Sequence, residues 1–215
     1  MGSGMGGAPD RERQDAPVGQ PLRLAVADPP YPGRAHLYRD HPDYAGEVDH
    51  DALIDSLAGY DGWALSTSAE ALYDVLHLVE HLEPRPYRVL AWVKHTVTVS
   101  WEPVIVVSAR KPEGVRDWIQ VEPDSYQWRE KPDSYVIGQK PKPFCQWLFA
   151  WLGAQPGDLL DDLFPGSGNV TEAWSEWQSQ PSFLQARSPS AEKRADRRAR
   201  ARATDPALFS EREAV

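Results

Sequence analysis

The chain has 215 residues, 41% of them hydrophobic, with 32 acidic against 23 basic side chains and a formal net charge of −9. That length suits one domain with a substantial core, and the single cysteine, Cys145, excludes an internal disulfide and fits a reducing cytoplasm. No stretch approaches the roughly 20 apolar residues of a membrane helix, and the amino terminus carries no apolar signal region.

Residues 1–20 are rich in Gly, Pro and charge and are expected to be disordered. The apolar run Leu22-Arg23-Leu24-Ala25-Val26-Ala27 predicts a buried strand ending in Asp28-Pro29-Pro30-Tyr31. Open α/β sheets place their ligands at such strand ends. Each proline fixes φ, lacks an N–H and holds the preceding residue extended. The Pro29 carbonyl therefore has no local turn partner and can face a substrate beside the Asp28 carboxylate. Two acceptors and a ring suit a planar group with an exocyclic amino group, such as a nucleobase stacked on Tyr31. The same tetrapeptide also suits a Pro-rich turn after an edge strand.

Residues 32–49 form a long polar stretch of the kind that is functional or disordered in a compact domain. It reads as a lid, with Arg34 and Arg39 as phosphate contacts. Residues 50–58 predict a short helix capped near Asp49, and Gly62–Ser66 a strand. Ser68 then caps an amphipathic helix over 69–82, with Leu72, Val75, Leu76 and Val79 on one face. His77 and His81 lie four apart on it. With no third ligand in view they read as solvated or core-edge residues, and no metal is expected. Residues 86–93 and 104–107 predict strands, and Phe144, Trp147, Leu148, Trp151 and Leu152 mark an apolar helix in which Cys145 packs. Strands alternating with helices imply an open, mostly parallel α/β sheet.

A short strand ending in Asp162 precedes Asp162-x-Phe164-x-Gly166-Ser167-Gly168, which opens a helix at Asn169. A lone Gly-x-Gly is weak, since either glycine can serve a tight turn. The longer pattern, set behind Gly138-Gln139-Lys140-Pro141, an apolar helix and Gly157-Asp158, is much more specific.

Together with Asp28-Pro29-Pro30-Tyr31, this succession resembles the amino-methylating DNA methyltransferases, in the circularly permuted branch where the catalytic motif precedes the cofactor loop. The strand led by Trp101-Glu102-Pro103 is similar to one those enzymes carry before their recognition segment. The resemblance covers roughly residues 20–177 and is nearest to the small DNA methylases of phages and prophages. It implies a Rossmann-like, S-adenosylmethionine-dependent α/β fold over residues 21–180, permuted and with a truncated sheet. Asp28, Pro29, Pro30 and Tyr31 would be catalytic. Gln139, Lys140, Pro141, Asp162, Phe164, Gly166, Ser167 and Gly168 would hold the cofactor. Residues 110–135 stand where the target-recognition segment would be. They bring Arg110, Lys111 and Arg116 as DNA contacts but are short for such a reader, which implies low sequence specificity. Cys145 follows Phe144 and does not resemble the Pro-Cys nucleophile of the cytosine-carbon methylases.

The family's association of Asp-led motifs with adenine implies methyl transfer to the adenine amino group of double-stranded DNA with the base flipped. The setting would be a bacterial or phage-infected cytoplasm, with no membrane partner and a homodimer as one arrangement. The alternatives are a non-catalytic DNA-binding or partner subunit and an RNA adenine methylase. One departure stands out: residues 177–186 carry no acid where the family holds the cofactor ribose, leaving Glu172 or Glu176 as substitutes. Residues 181–215 read as a disordered basic tail, with Lys193, Arg194, Arg197, Arg198, Arg200 and Arg202 suited to a phosphate backbone.

Overall fold

A computed structural model describes residues 20–39, 44–94, 101–123 and 139–179. Residues 1–19 and 181–215 of the expected end segments, residues 40–43 of the expected lid, residues 124–135 of the recognition segment and Gly138 lie outside the described residues. Within them a six-stranded sheet runs in the order β5-β3-β4-β2-β1-β6. Its strands are β1 (Arg23–Ala27), β2 (Gly62–Ser66), β3 (Arg88–Val93), β4 (Trp101–Val107), β5 (Trp118–Gln120) and β6 (Leu159–Asp162). β1 pairs in parallel with both β2 and β6, and β3 with β5, while β4 is antiparallel to both of its neighbours. The mostly parallel α/β sheet expected from the strand–helix alternation is therefore present. Among the described residues β6 has only β1 beside it.

Strand side chains alternate between the faces. Leu24 and Val26 of β1, with Val104 and Val106 of β4, point to one core, and Ala25, Ala27, Ile105 and Val107 point to the other. Helices α3 (Lys142–Leu152) and α4 (Asn169–Ser179) cover the first face. The second is covered by α1 (His50–Leu57) and α2 (Leu72–Leu82). With both faces covered, β2 is buried along its whole length.

The helix ends follow from local chemistry. The Asp49 side chain accepts from the Ala52 amide at 3.0 Å and caps α1, as expected. Ser68 Oγ instead takes the Ala71 amide in a turn, so α2 starts at Leu72 rather than at residue 69. Val75 and Val79 form its buried face, with Leu72 and Leu76 partly buried beside them. α3 ends at Gly153, whose φ of +69° is the left-handed conformation glycine adopts most readily. The strand β5 was not foreseen: three residues inside an expected recognition loop carry too little pattern to mark it.

Candidate active site

Because β1 and β6 run parallel and adjacent, their carboxyl ends open side by side. Val26 is in register with Asp162, which sets Asp28 and the loop after Asp162 at the same edge of the sheet. The antiparallel direction of β4 brings its first residues to that edge, with Glu102 opposite Trp92 and Trp101 opposite Val93. Lys94 directly follows β3, and Lys140 arrives from the segment leading into α3.

These side chains meet. Lys140 Nζ donates to both Asp28 oxygens, at 2.7 and 2.6 Å, from a side chain only 5% exposed. The Lys140 carbonyl is in turn held by Asn169 Nδ2 at 2.9 Å, which ties the Gln-Lys-Pro segment to the start of α4. Tyr31 donates its hydroxyl to Glu102 Oε2 at 2.9 Å, and Lys94 pairs with the other oxygen of Glu102. Trp92 lies against both ammonium groups: Lys94 Nζ is 4.2 Å and Lys140 Nζ 5.5 Å from its ring. Lys140 Nζ also stands 5.9 Å from the Tyr31 ring. The result is a cluster of two carboxylates, two ammoniums and two aromatic rings.

Burial raises the Asp28 carboxyl above the ordinary carboxylate value, against the pull of Lys140. Burial, with the Asp28 and Glu102 charges, puts the Tyr31 hydroxyl well above its usual range and keeps it a donor. For Glu102 burial is outweighed by the Lys140 and Lys94 ammoniums, and its carboxyl is lowered. Burial lowers the Lys94 ammonium despite its acidic partner. For Lys140 burial loses to the attraction of Asp28 and Glu102, and it is raised.

Beyond Asp162 the backbone turns sharply. The Leu163 amide still bonds the Val26 carbonyl at 3.0 Å, and the Gly168 amide then closes on the Pro165 carbonyl at 2.6 Å. Gly166 and Gly168 have φ of +45° and +79°. A Cβ at Gly168 would meet nothing within 4 Å, so its glycine answers to backbone conformation and leaves open space before α4. Phe164 packs partly buried against the α1–α2 core. Burial raises Asp162, opposed by the Thr171 hydroxyl at 3.2 Å from its Oδ2. Gln139 Oε1 is buried and has no hydrogen-bond partner among the described residues. A buried polar atom of this kind ordinarily has a partner.

The structure thus brings Asp28, Tyr31, Lys140, Asp162 and the glycine loop to one edge, with Gln139 and Pro141 flanking Lys140. Arg34 and Arg39 stand exposed near that edge, at either end of a 3-10 turn, Ala35–Tyr38, just past the tetrapeptide. Arg110 is placed differently. It forms a bidentate pair with Asp158 at 2.6 and 2.9 Å and bonds the Gly153 carbonyl, at the opposite edge of the sheet. Asp158 there also accepts the Leu22 and Gln155 amides. Lys111 is exposed beside it. Arg116 precedes β5, with its carbonyl bonded by the Trp147 and Trp151 indoles and its guanidinium 5.5 Å from the Trp118 ring. None of the three reaches the Asp28 edge.

Glu172 and Glu176 both pair with Lys142, at 3.2 and 2.6 Å. The His81 ring bonds the His77 carbonyl, and no metal-binding group of His, Cys, Asp or Glu occurs among the described residues. Sequence reasoning missed Lys94 and Trp92; a lysine at the carboxyl end of an apolar strand was the available signal. No protein-family model matches the chain, and no curated protein does. Solved structures similar to it include the crystal structure of the M1.HpyAVI–SAM complex, at a TM-score of 0.48 and 16% identity over 81% of this chain and 89% of that one. The crystal structure of M1.HpyAVI is similar at a TM-score of 0.43 and 15% identity, over 82% of this chain and 88% of that one.

Proposed function

We propose that this chain is a DNA methyltransferase that moves a methyl group from S-adenosylmethionine to the exocyclic amino group of adenine. The observation that carries the reading is that the segments holding Asp28 and Tyr31 and the Gly166–Gly168 loop leave the carboxyl ends of two adjacent parallel strands in register. The cofactor fits the residues present: a glycine loop with open space at Gly168, and the orphaned Gln139 oxygen as an acceptor for an N–H or O–H group. When bound, it supplies the electrophilic methyl. In this reading the catalytic motif precedes the cofactor loop, as in the permuted, phage-type branch.

The chain's own groups then do the following. Asp28 and the Pro29 carbonyl accept the two amino hydrogens of a flipped base and turn the nitrogen lone pair toward the loop. Tyr31 offers the stacking face, which offsets the few kcal/mol that unpairing a base costs. Lys140 keeps the buried Asp28 carboxylate from standing uncompensated, so positioning and charge stabilisation carry the acceleration. The nitrogen becomes acidic only as the new bond forms, and its proton passes to Asp28 or to water. Arg34 and Arg39 are suited to phosphates flanking the flipped base. Arg110, committed to Asp158, is left out of the DNA interface.

Calorimetric titration with S-adenosylhomocysteine tests the cofactor half. Saturable one-to-one binding that Gly168→Val weakens is expected. A folded chain that binds none would overturn the reading and favour a non-catalytic DNA-binding subunit.

A further inference from the structure

The Lys94–Glu102 pair is buried, with side chains 11% and 12% exposed. Desolvation makes a buried ion pair a poor source of stability, and well-packed apolar residues usually do as well. The pairing register of β3 and β4 does not call for charge there: next in register to Trp92 and Glu102 are Ala91 with Pro103 and Val93 with Trp101. What singles Glu102 out is its second oxygen, which accepts the Tyr31 hydroxyl from 71 residues away. A tyrosine ring turns about two side-chain bonds, and a buried hydroxyl with one acceptor selects one orientation. The acceptor is strongest while ionised, and the ammoniums of Lys94 and Lys140 keep it so.

We propose that Glu102, paired with Lys94, is a positioning residue that anchors the Tyr31 hydroxyl and so sets the ring plane on which the target base stacks beside Asp28. The proposal rests on the methyltransferase reading. Tyr31 thereby receives support from Glu102 of β4 and, through it, from Lys94 at the end of the neighbouring strand β3.

The test is a double-mutant cycle on methyl transfer to DNA, between Tyr31→Phe and the paired replacement Lys94→Met with Glu102→Leu, which leaves no orphaned charge. Each arm should lower kcat/KM roughly tenfold to a hundredfold through misplacement of the base. The combined variant should be no worse than the poorer arm. With 2-aminopurine at the target position, both arms should relieve the fluorescence quenching that stacking produces. S-adenosylhomocysteine affinity should stay within about twofold in all three.

Unchanged kinetics in either arm, or losses that multiply in full, would overturn the proposal. So would a parallel fall in cofactor affinity, which would mark a general structural role. Tyr31→Phe removes one oxygen only and keeps the proposal falsifiable if the paired replacement fails to fold. Absence of transfer by the native chain would instead sink the underlying reading, and this proposal with it.

Discussion

Replacing Lys140 by Met removes the two hydrogen bonds that hold Asp28 and leaves that carboxylate near Glu102 without its principal counter-charge. The Lys140 side chain is 5% exposed and that of Asp28 22%, so water can screen only part of the loss. Breaking a buried pair from one side costs about 3–5 kcal/mol; the partial exposure of Asp28 places this case near 3 kcal/mol. The loss should depend on pH. Burial already raises the Asp28 carboxyl, and without the opposing ammonium it rises further. A carboxyl raised in the folded state is no burden below its unfolded value, and it destabilises increasingly as pH climbs through the folded value. Urea unfolding at pH 8 should therefore show nearly the full deficit of Lys140→Met, and at pH 5 a clearly smaller one. Adding Asp28→Asn to Lys140→Met should restore much of the stability, since no orphaned charge remains. An equal deficit at both pH values, together with additive single losses, would refute the coupling.

Arg110→Met should cost about 3 kcal/mol of stability while leaving DNA affinity nearly unchanged, because the guanidinium serves the nine-tenths-buried Asp158 and not the Asp28 edge; chemical denaturation beside a binding titration checks both halves. Gly153→Ala should destabilise by roughly 1–3 kcal/mol, since it combines a φ of +69° with a Cβ placed 2.7 Å from the Arg110 carbonyl oxygen. Burial pushes the Cys145 thiol up to about 12, so the native chain should resist thiol reagents at pH 8 and react fully once unfolded, with Cys145→Ala retaining transfer activity.

What could be read in the sequence was what lies close together along the chain. The run into Asp28-Pro29-Pro30-Tyr31, the Asp49 cap and the turn from Asp162 to Gly168 are each written within a few residues, and each is where it was expected. Pairings across the chain were not legible. Arg110 sits in a stretch that looked like a nucleic-acid reader, and its partner Asp158 lies 48 residues on. Lys140 had a motif role, yet its contact with Asp28 spans 112 residues and depends on α3 packing against the face of the sheet that contains β1. The most consequential miss was direction: Glu102 reaches the site because β4 runs against its neighbours, and strand orientation leaves no local pattern to read.

The decisive assay is transfer of labelled methyl groups from S-adenosylmethionine to unmethylated genomic DNA, with nucleoside analysis of the product and Asp28→Ala alongside. The native chain should yield methylated adenine and the variant none, with RNA a poor competitor. A folded native chain that binds DNA but transfers nothing, or an Asp28→Ala variant as active as the native chain, would contradict the methyltransferase reading.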